Sequence, residues 1–228
     1  MYVPKHFELD AQSAAQLVAS RGAGELVTVG PDGPESTFLP FSYDPTAGEC
    51  GTLKTHVTRV NPQWQHAGPA LVIVHGFDSY ISPDWMADAN DPRPNLRGEI
   101  AVVPTWNYLT VHLRGQLIAH EDPAWIESSL GELVTAQAPE WDLQRISAEK
   151  MHRLMRAIVG VEIAVSEITG KAKMSQNRSS ADITSIAQML MEHGHSTQTA
   201  QFLREVSLPH ATARENKVAE ARLANRRS

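Results

Sequence analysis

Val103-Pro104-Thr105-Trp106-Asn107-Tyr108-Leu109-Thr110-Val111-His112-Leu113-Arg114-Gly115 is the stretch whose reading decides the fold. From Asn107 onward, Leu109, Val111, Leu113 and Leu117 fall on one face, and Thr110, His112, Arg114 and Gln116 on the other. Period two means a strand with one face in a core and one toward solvent, a ligand or a partner. Pro104 has no amide proton to give a ladder, so it marks the strand entrance or an edge. Trp106, Asn107 and Tyr108 follow it at once. Aromatic surface beside hydrogen-bonding groups suits a flat polar heterocycle, and it equally suits an ordinary barrel core.

Working outward, the N-terminal side reads as strands. Asp10 caps a helix with Ala14, Leu17 and Val18 inward, closed by Gly22. Residues 25–29 form a strand, Pro31-Asp32-Gly33 turns it, and the chain returns through Ser36 to Ser42. A second pair brackets Asp44 to Gly48 and leads through residues 51–56, with a turn and short helix near Asn61-Pro62-Gln63-Trp64. Residues 70–74 are a continuous apolar run, expected of a strand covered on both faces, ending at His75-Gly76. Residues 79–83 are expected to continue that hairpin. Residues 87–95 are polar and proline-bearing, a loop positioned to cover what lies beside the central strand.

Beyond the central strand the pattern turns helical. Asp122-Pro123 opens a helix with Ile126, Leu130, Leu133 and Val134 on one face. Met151, Leu154 and Met155 suggest another, and residues 159–166 alternate as a last strand. Ser179 and Asp182 resemble a capping box ahead of the stripe Ile183, Ile186, Ala187, Leu190 and Met191. From Gln198 the pattern is helical but weak. Strands first and helices late, without βαβ alternation, give an α+β protein built on a small antiparallel barrel. The expected division is a barrel domain over residues 1–195 and a helical C-terminal extension over residues 196–228.

With 228 residues the chain can bury a substantial core, and its net charge of −6 argues against general coating of nucleic acid. No apolar run reaches the roughly 20 residues of a membrane span. A single cysteine, Cys50, and a start without a signal-peptide apolar region make the cytoplasm the expected location.

No phosphate-loop, dinucleotide or nucleophile-elbow spacing is present. Of ten histidines, only His193-Gly194-His195 makes a tight pair, and it reads as solvated turn residues, so no metal site is expected. His112 and His120, eight residues apart on one strand, would stand about 26 Å from each other and cannot share an ion. Three clusters carry site chemistry. His56, Arg59 and Asn61 beside Lys54 put cations and polar donors at a strand-to-helix turn, suited to a phosphate. Trp106 with Asn107 pairs an indole with an amide. Lys173, Ser175, Gln176, Asn177 and Arg178 bring two cations and three hydrogen-bonding side chains together before a helix.

In order, His56-x-x-Arg59-x-Asn61-Pro62-Gln63-Trp64, Tyr80-Ile81-Ser82-Pro83-x-Trp85, Val103-Pro104-Thr105-Trp106-Asn107-Tyr108 and Lys173-Met174-Ser175-Gln176-Asn177-Arg178 closely resemble the PaiB-like family, also called FMN-binding negative transcriptional regulators. The opening Met1-Tyr2-Val3-Pro4-Lys5-His6-Phe7 resembles its usual start, and the likeness spans about residues 1 to 195. It implies a split β-barrel of the flavin-reductase and pyridoxamine-phosphate-oxidase type, to which the residue pattern adds peripheral helices and a helical tail. It also implies a homodimer with FMN between subunits. On that reading His56, Arg59 and Asn61 are candidates for phosphate or ribityl contacts, and Trp106, Asn107, Lys173, Ser175, Gln176 and Asn177 flank the flavin or its substrate side. Two departures stand out: Phe38 occupies the place of a usual histidine, and Met86 that of a usual tyrosine. Flavin-dependent oxidoreduction is an alternative expectation. Haem binding through His75 or His112 is another. DNA binding is implied only by the family's title, with six Lys/Arg against three Glu after Gln201 as its meagre support.

Overall fold

The central stretch forms one continuous strand, β7 (Thr105–His120), with Leu109, Val111, Leu113 and Leu117 buried and Arg114 and Gln116 exposed. The computed structural model describes residues 1–86 and 103–225, so the loop expected over residues 87–95 lies outside the described residues. The other strands are β1 (Glu8–Leu9), β2 (Ala23–Gly30), β3 (Gly33–Pro40), β4 (Ser42–Asp44), β5 (Thr52–Thr58), β6 (Gly68–Ile81) and β8 (Ile158–Lys173). The helices are α1 (Ala11–Arg21), α2 (Pro123–Gln137), α3 (Ala148–Arg156), α4 (Ser180–Glu192), α5 (Thr197–Phe202) and α6 (Leu208–Asn225).

Two compact units emerge. Unit 1 comprises residues 9–75 and 110–170 with Met1; unit 2 comprises residues 2–8, 76–109 and 171–228. The tail beyond residue 195 belongs to unit 2 together with α4.

Strand order is β3-β2-β6-β7-β8-β5-β4, with β1 added to β8. β2 pairs antiparallel with both β3 and β6, and β5 with both β4 and β8. The two outermost strands, β3 and β4, are separated in sequence by Phe41 alone. The sheet therefore has to curl until its ends meet, and unit 1 is an antiparallel barrel. The corner is pinned twice: Thr55 Oγ1 donates to the Pro40 carbonyl at 2.6 Å, and the Phe41 N–H to the Gly22 carbonyl at 2.8 Å. Leu26, Phe41, Leu53, Val72, Val111, Leu113, Val161 and Ile163 fill the interior, with Ala14 and Val18 of α1 packed among them. Gly115 is required where β7 passes β8, because a Cβ there would meet the Ala164 carbonyl oxygen at 2.2 Å.

The helix start signals were accurate. Asp10, Asp122 and Ser179 accept N–H bonds from Ser13, Trp125 and Asp182, and Gly22 takes the left-handed φ of 55° that ends α1. Three expectations need correction. Residues 68–81 form one strand rather than a hairpin, lying between β7 and β2, the latter paired with Leu71, Val72 and Ile73. Residues 70–74 alternate between buried and half-buried, so only one face is in the core. β8 runs to Lys173, seven residues past the expected end.

Gln63 shows how the hairpin is fixed. Asn61 Oδ1 accepts the Gln63 N–H at 2.9 Å, which starts the 3₁₀ turn Pro62–Gln65 and drives Gln63 inward to 1% exposure. Its Nε2 reaches the Leu26 carbonyl, Thr28 Oγ1 and the Glu35 carbonyl at 3.1–3.3 Å, and its Oε1 accepts from Thr37 Oγ1. Removing this amide strands buried groups on both β2 and β3. Gln63→Ala should cost about 2–4 kcal/mol, read as a lower urea midpoint at unchanged slope. A loss under about 0.5 kcal/mol would show that water replaces the amide freely.

Candidate functional site

Unit 2 gathers the second and third clusters into one place. The mouth of β7 and the end of β8 supply them. Lys173 Nζ donates to Thr105 Oγ1 and to the Trp106 carbonyl at 2.6 Å. Asn107 and Ser175, both buried, join side chain to side chain, with Ser175 Oγ 3.1 Å from both Nδ2 and Oδ1 of the amide. Ser175 holds a φ of 59°, a conformation that costs a side-chain-bearing residue energy. The turn closes through the Arg178 N–H on the Ser175 carbonyl at 2.9 Å. Gln176 folds back, accepting from the Met174 N–H and donating to the Ala172 carbonyl, so it braces the turn.

A cavity of about 130 Å³ results, lined by Phe7, Thr105, Asn107, Lys173, Ser175, Asn177 and Arg178. That volume suits a phosphate-sized group. The electrostatics agree. Burial, then Lys171 and Arg178, push the Lys173 ammonium below the ordinary lysine value of 10.5. Among the described residues, no carboxylate pairs with Lys173 or Arg178. A positive hollow with hydroxyl and amide donors and no acidic partner fits an anion. Trp106 is 50% exposed, its Nε1 donating to Asp78 at 2.8 Å and its ring centroid 6.0 Å from that of Tyr80 in an edge arrangement.

The first cluster lies in unit 1, and there the cations are already matched. Arg59 donates to Glu121 at 2.5 Å and to the carbonyls of Arg156 and Ile158 at 3.2 Å. Lys54 pairs with Glu132 at 2.8 Å. Asn61 donates to Thr37 and belongs to the Gln63 network. Burial lowers the His56 pKa below 6.5, which disfavours the charged imidazolium. Nearby, Gly160 lets Trp125 lie close against β8, where it stacks 3.9 Å from His120, itself bonded to Glu162 at 2.9 Å.

Of the departures, Phe38 is 67% exposed on β3, whereas Met86 is buried. His75 is exposed and 3.6 Å from Glu25; His112 is half-buried, and burial lowers its pKa. His193 stacks on Trp85 at 5.6 Å in unit 2. Among the described residues, no group of three His, Cys, Asp or Glu could hold a metal ion, and no helix is long and apolar enough to cross a membrane. Thr105, Phe7 and the tail contacts described below were absent from the sequence-derived site. A threonine before an aromatic, or a phenylalanine 166 residues from its cavity partner Lys173, carries no local signal.

Residues 1–167 match the model of a family described as "Putative FMN-binding domain". The chain is 26% identical over 219 residues to "Protease synthase and sporulation protein PAI 2" of Bacillus subtilis, covering 90% of this chain and 97% of that protein. Among solved structures it resembles the conserved hypothetical protein Rv2991 of Mycobacterium tuberculosis, with TM-score 0.53 and 14% identity over 78% of this chain and 93% of that one. It also resembles the flavocytochrome Anf3 of Azotobacter vinelandii, with TM-score 0.52 and 15% identity over 72% and 67% of the two chains. At these identities the structural likenesses establish the fold.

If Lys173 carries the positive charge of the hollow, affinity for sulfate, which does not titrate near neutrality, should fall as pH rises and begin to fall below 10.5. Lys173→Met should bind sulfate roughly tenfold more weakly at pH 7 and lose that pH dependence. An affinity flat to pH 10.5, or a variant indistinguishable from the parent, would refute the assignment.

Proposed function

Because the chain belongs to this FMN-binding domain family, with a PaiB-like sequence, we propose that it is a dimeric flavoprotein holding FMN non-covalently. The single observation that carries the reading is the unit 2 hollow, where two cations and several neutral donors meet without a carboxylate among the described residues. Lys173 and Arg178 would neutralise the phosphate, with Thr105, Ser175, Asn107 and Asn177 as neutral donors around it. Trp106 offers a half-exposed flat face for the ring system. His56, Arg59 and Asn61 remain secondary candidates: Arg59 becomes available to a ligand only on leaving Glu121. When bound, FMN supplies hydride and electron transfer; the residues of this chain bind and orient it.

A second copy is the partner we assign to the outer face of β2, β3 and β6. Opposed residues in the ladder place Phe38, Glu25 and Ile73 in one row and Val27 and Leu71 in the next, with Val29 beyond. Phe38 and Val29 are 67% and 69% exposed. An apolar sheet face of this kind is what an isologous interface covers. DNA binding draws little from the tail, since Arg214 is committed to backbone carbonyls. A single thiol suits the reducing cytoplasm.

Titration should show saturable FMN binding at about micromolar concentration or tighter, with flavin fluorescence quenched, and Lys173→Met weakening it. Failure of the parent to bind at that concentration overturns the cofactor assignment. In light scattering the parent should run as a dimer and Phe38→Glu as a monomer that keeps its circular dichroism. A monomeric parent would remove the second copy.

A further inference from the structure

The C-terminal tail grips the turn that walls the anion hollow. Leu203–Ser207 wind as a π-turn, the Leu208 N–H reaching the Leu203 carbonyl, immediately before Pro209, which has no N–H to continue an α-ladder. Downstream, Ser207, Ala211, Arg214 and Glu215 share one helix face at i, i+4, i+7 and i+8. Leu203, Ser207 and Ala211 are completely buried.

That face meets the turn at every second residue. Ser207 Oγ donates to the Met174 carbonyl at 2.7 Å. The two arms of the Arg214 guanidinium donate to the Gln176 and Arg178 carbonyls, each at 2.5 Å. The Glu215 carboxylate accepts from the Ser180 N–H at 2.8 Å and its hydroxyl at 2.6 Å. Residues 174, 176, 178 and 180 are held from behind, while Ser175, Asn177 and Arg178 line the hollow. Ser175 keeps its costly φ because the backbone on either side of it is tied down.

We propose that α6 is a positioning element for the anion site, with Arg214 its central residue. Filling the hollow and docking the helix are then linked, each strengthening the other. The identity of the natural ligand rests on the FMN reading; the linkage itself does not, and sulfate tests it alone. Arg214 touches no ligand: it acts through the two carbonyls.

The test uses the full chain with Arg214→Gln and Arg214→Lys, followed by hydrogen exchange and by sulfate and FMN titration. Without ligand, Arg214→Gln should lose amide protection over residues 174–180 and keep it in β7. Its sulfate affinity should fall about tenfold, with partial rescue in Arg214→Lys. In the parent, saturating sulfate should raise protection across residues 208–225, which a merely structural helix would not show. Should Arg214→Gln not fold, Ser207→Ala gives the same readings, with the same direction expected. Unchanged sulfate affinity, or tail protection indifferent to sulfate, overturns the proposal whatever FMN does. A parent that binds sulfate with the expected linkage but ignores FMN sinks the cofactor reading and leaves this one standing.

Discussion

A sheet whose outermost strands are one residue apart in sequence has no open form available to it. Phe41 is that residue, and its burial beneath the corner links chain geometry to core formation. Once β3 and β4 must meet, each strand of unit 1 acquires an inside and an outside. Alternation along β7 then follows as a requirement of closure. Where the wall is tightest, side chains give way to hydrogen at Gly115. The same closure makes a buried glutamine valuable, since Gln63 can tie three separate backbone and side-chain acceptors of one hairpin from a single position.

Charge in this protein sorts into two kinds. Lys54, Arg59 and Arg114 each face a glutamate, at 78, 62 and 53 residues' separation. Such exposed or half-exposed pairs add little stability, but they make the surface around them electrically quiet. Lys173 and Arg178 have no such partner among the described residues, and Lys171 sits close enough to depress the Lys173 pKa further. Of the two candidate clusters, only the unit 2 hollow thus leaves its cations uncompensated among the described residues, and cation density alone would have pointed equally to both places.

Much of the fold was legible because it depends on local pattern. Asp10, Gly22, Asp122 and Ser179 mark helix ends through their own side chains or backbone freedom, and period two marks strands. Strand length was less legible: His75-Gly76 and Lys171-Ala172-Lys173 look like chain turns, yet both lie within long strands, β6 and β8. For the candidate site, the run from Lys173 to Arg178 and the pair Trp106-Asn107 were visible as chemistry, and the structure brings them into one cluster. The pairing of Arg59 with Glu121 was not visible, because which cation is neutralised depends on contacts far apart in sequence. Gln176 has the composition of a ligand, and the bonds its amide makes are to the backbone at Met174 and Ala172.

The π-turn ahead of Pro209 amounts to one surplus residue wound into a helix. Its consequence is rotational phase. The wider turn takes up that residue with little net rotation, whereas deleting one residue between Pro209 and Ala213 of α6 would swing everything downstream by about 100° about its axis. Arg214 and Glu215 would then point away from the turn they grip, although composition and helix content would scarcely change. The frame of this chain is thus set by counting as much as by chemistry, and indels in the tail should be far less tolerable than substitutions on its exposed side.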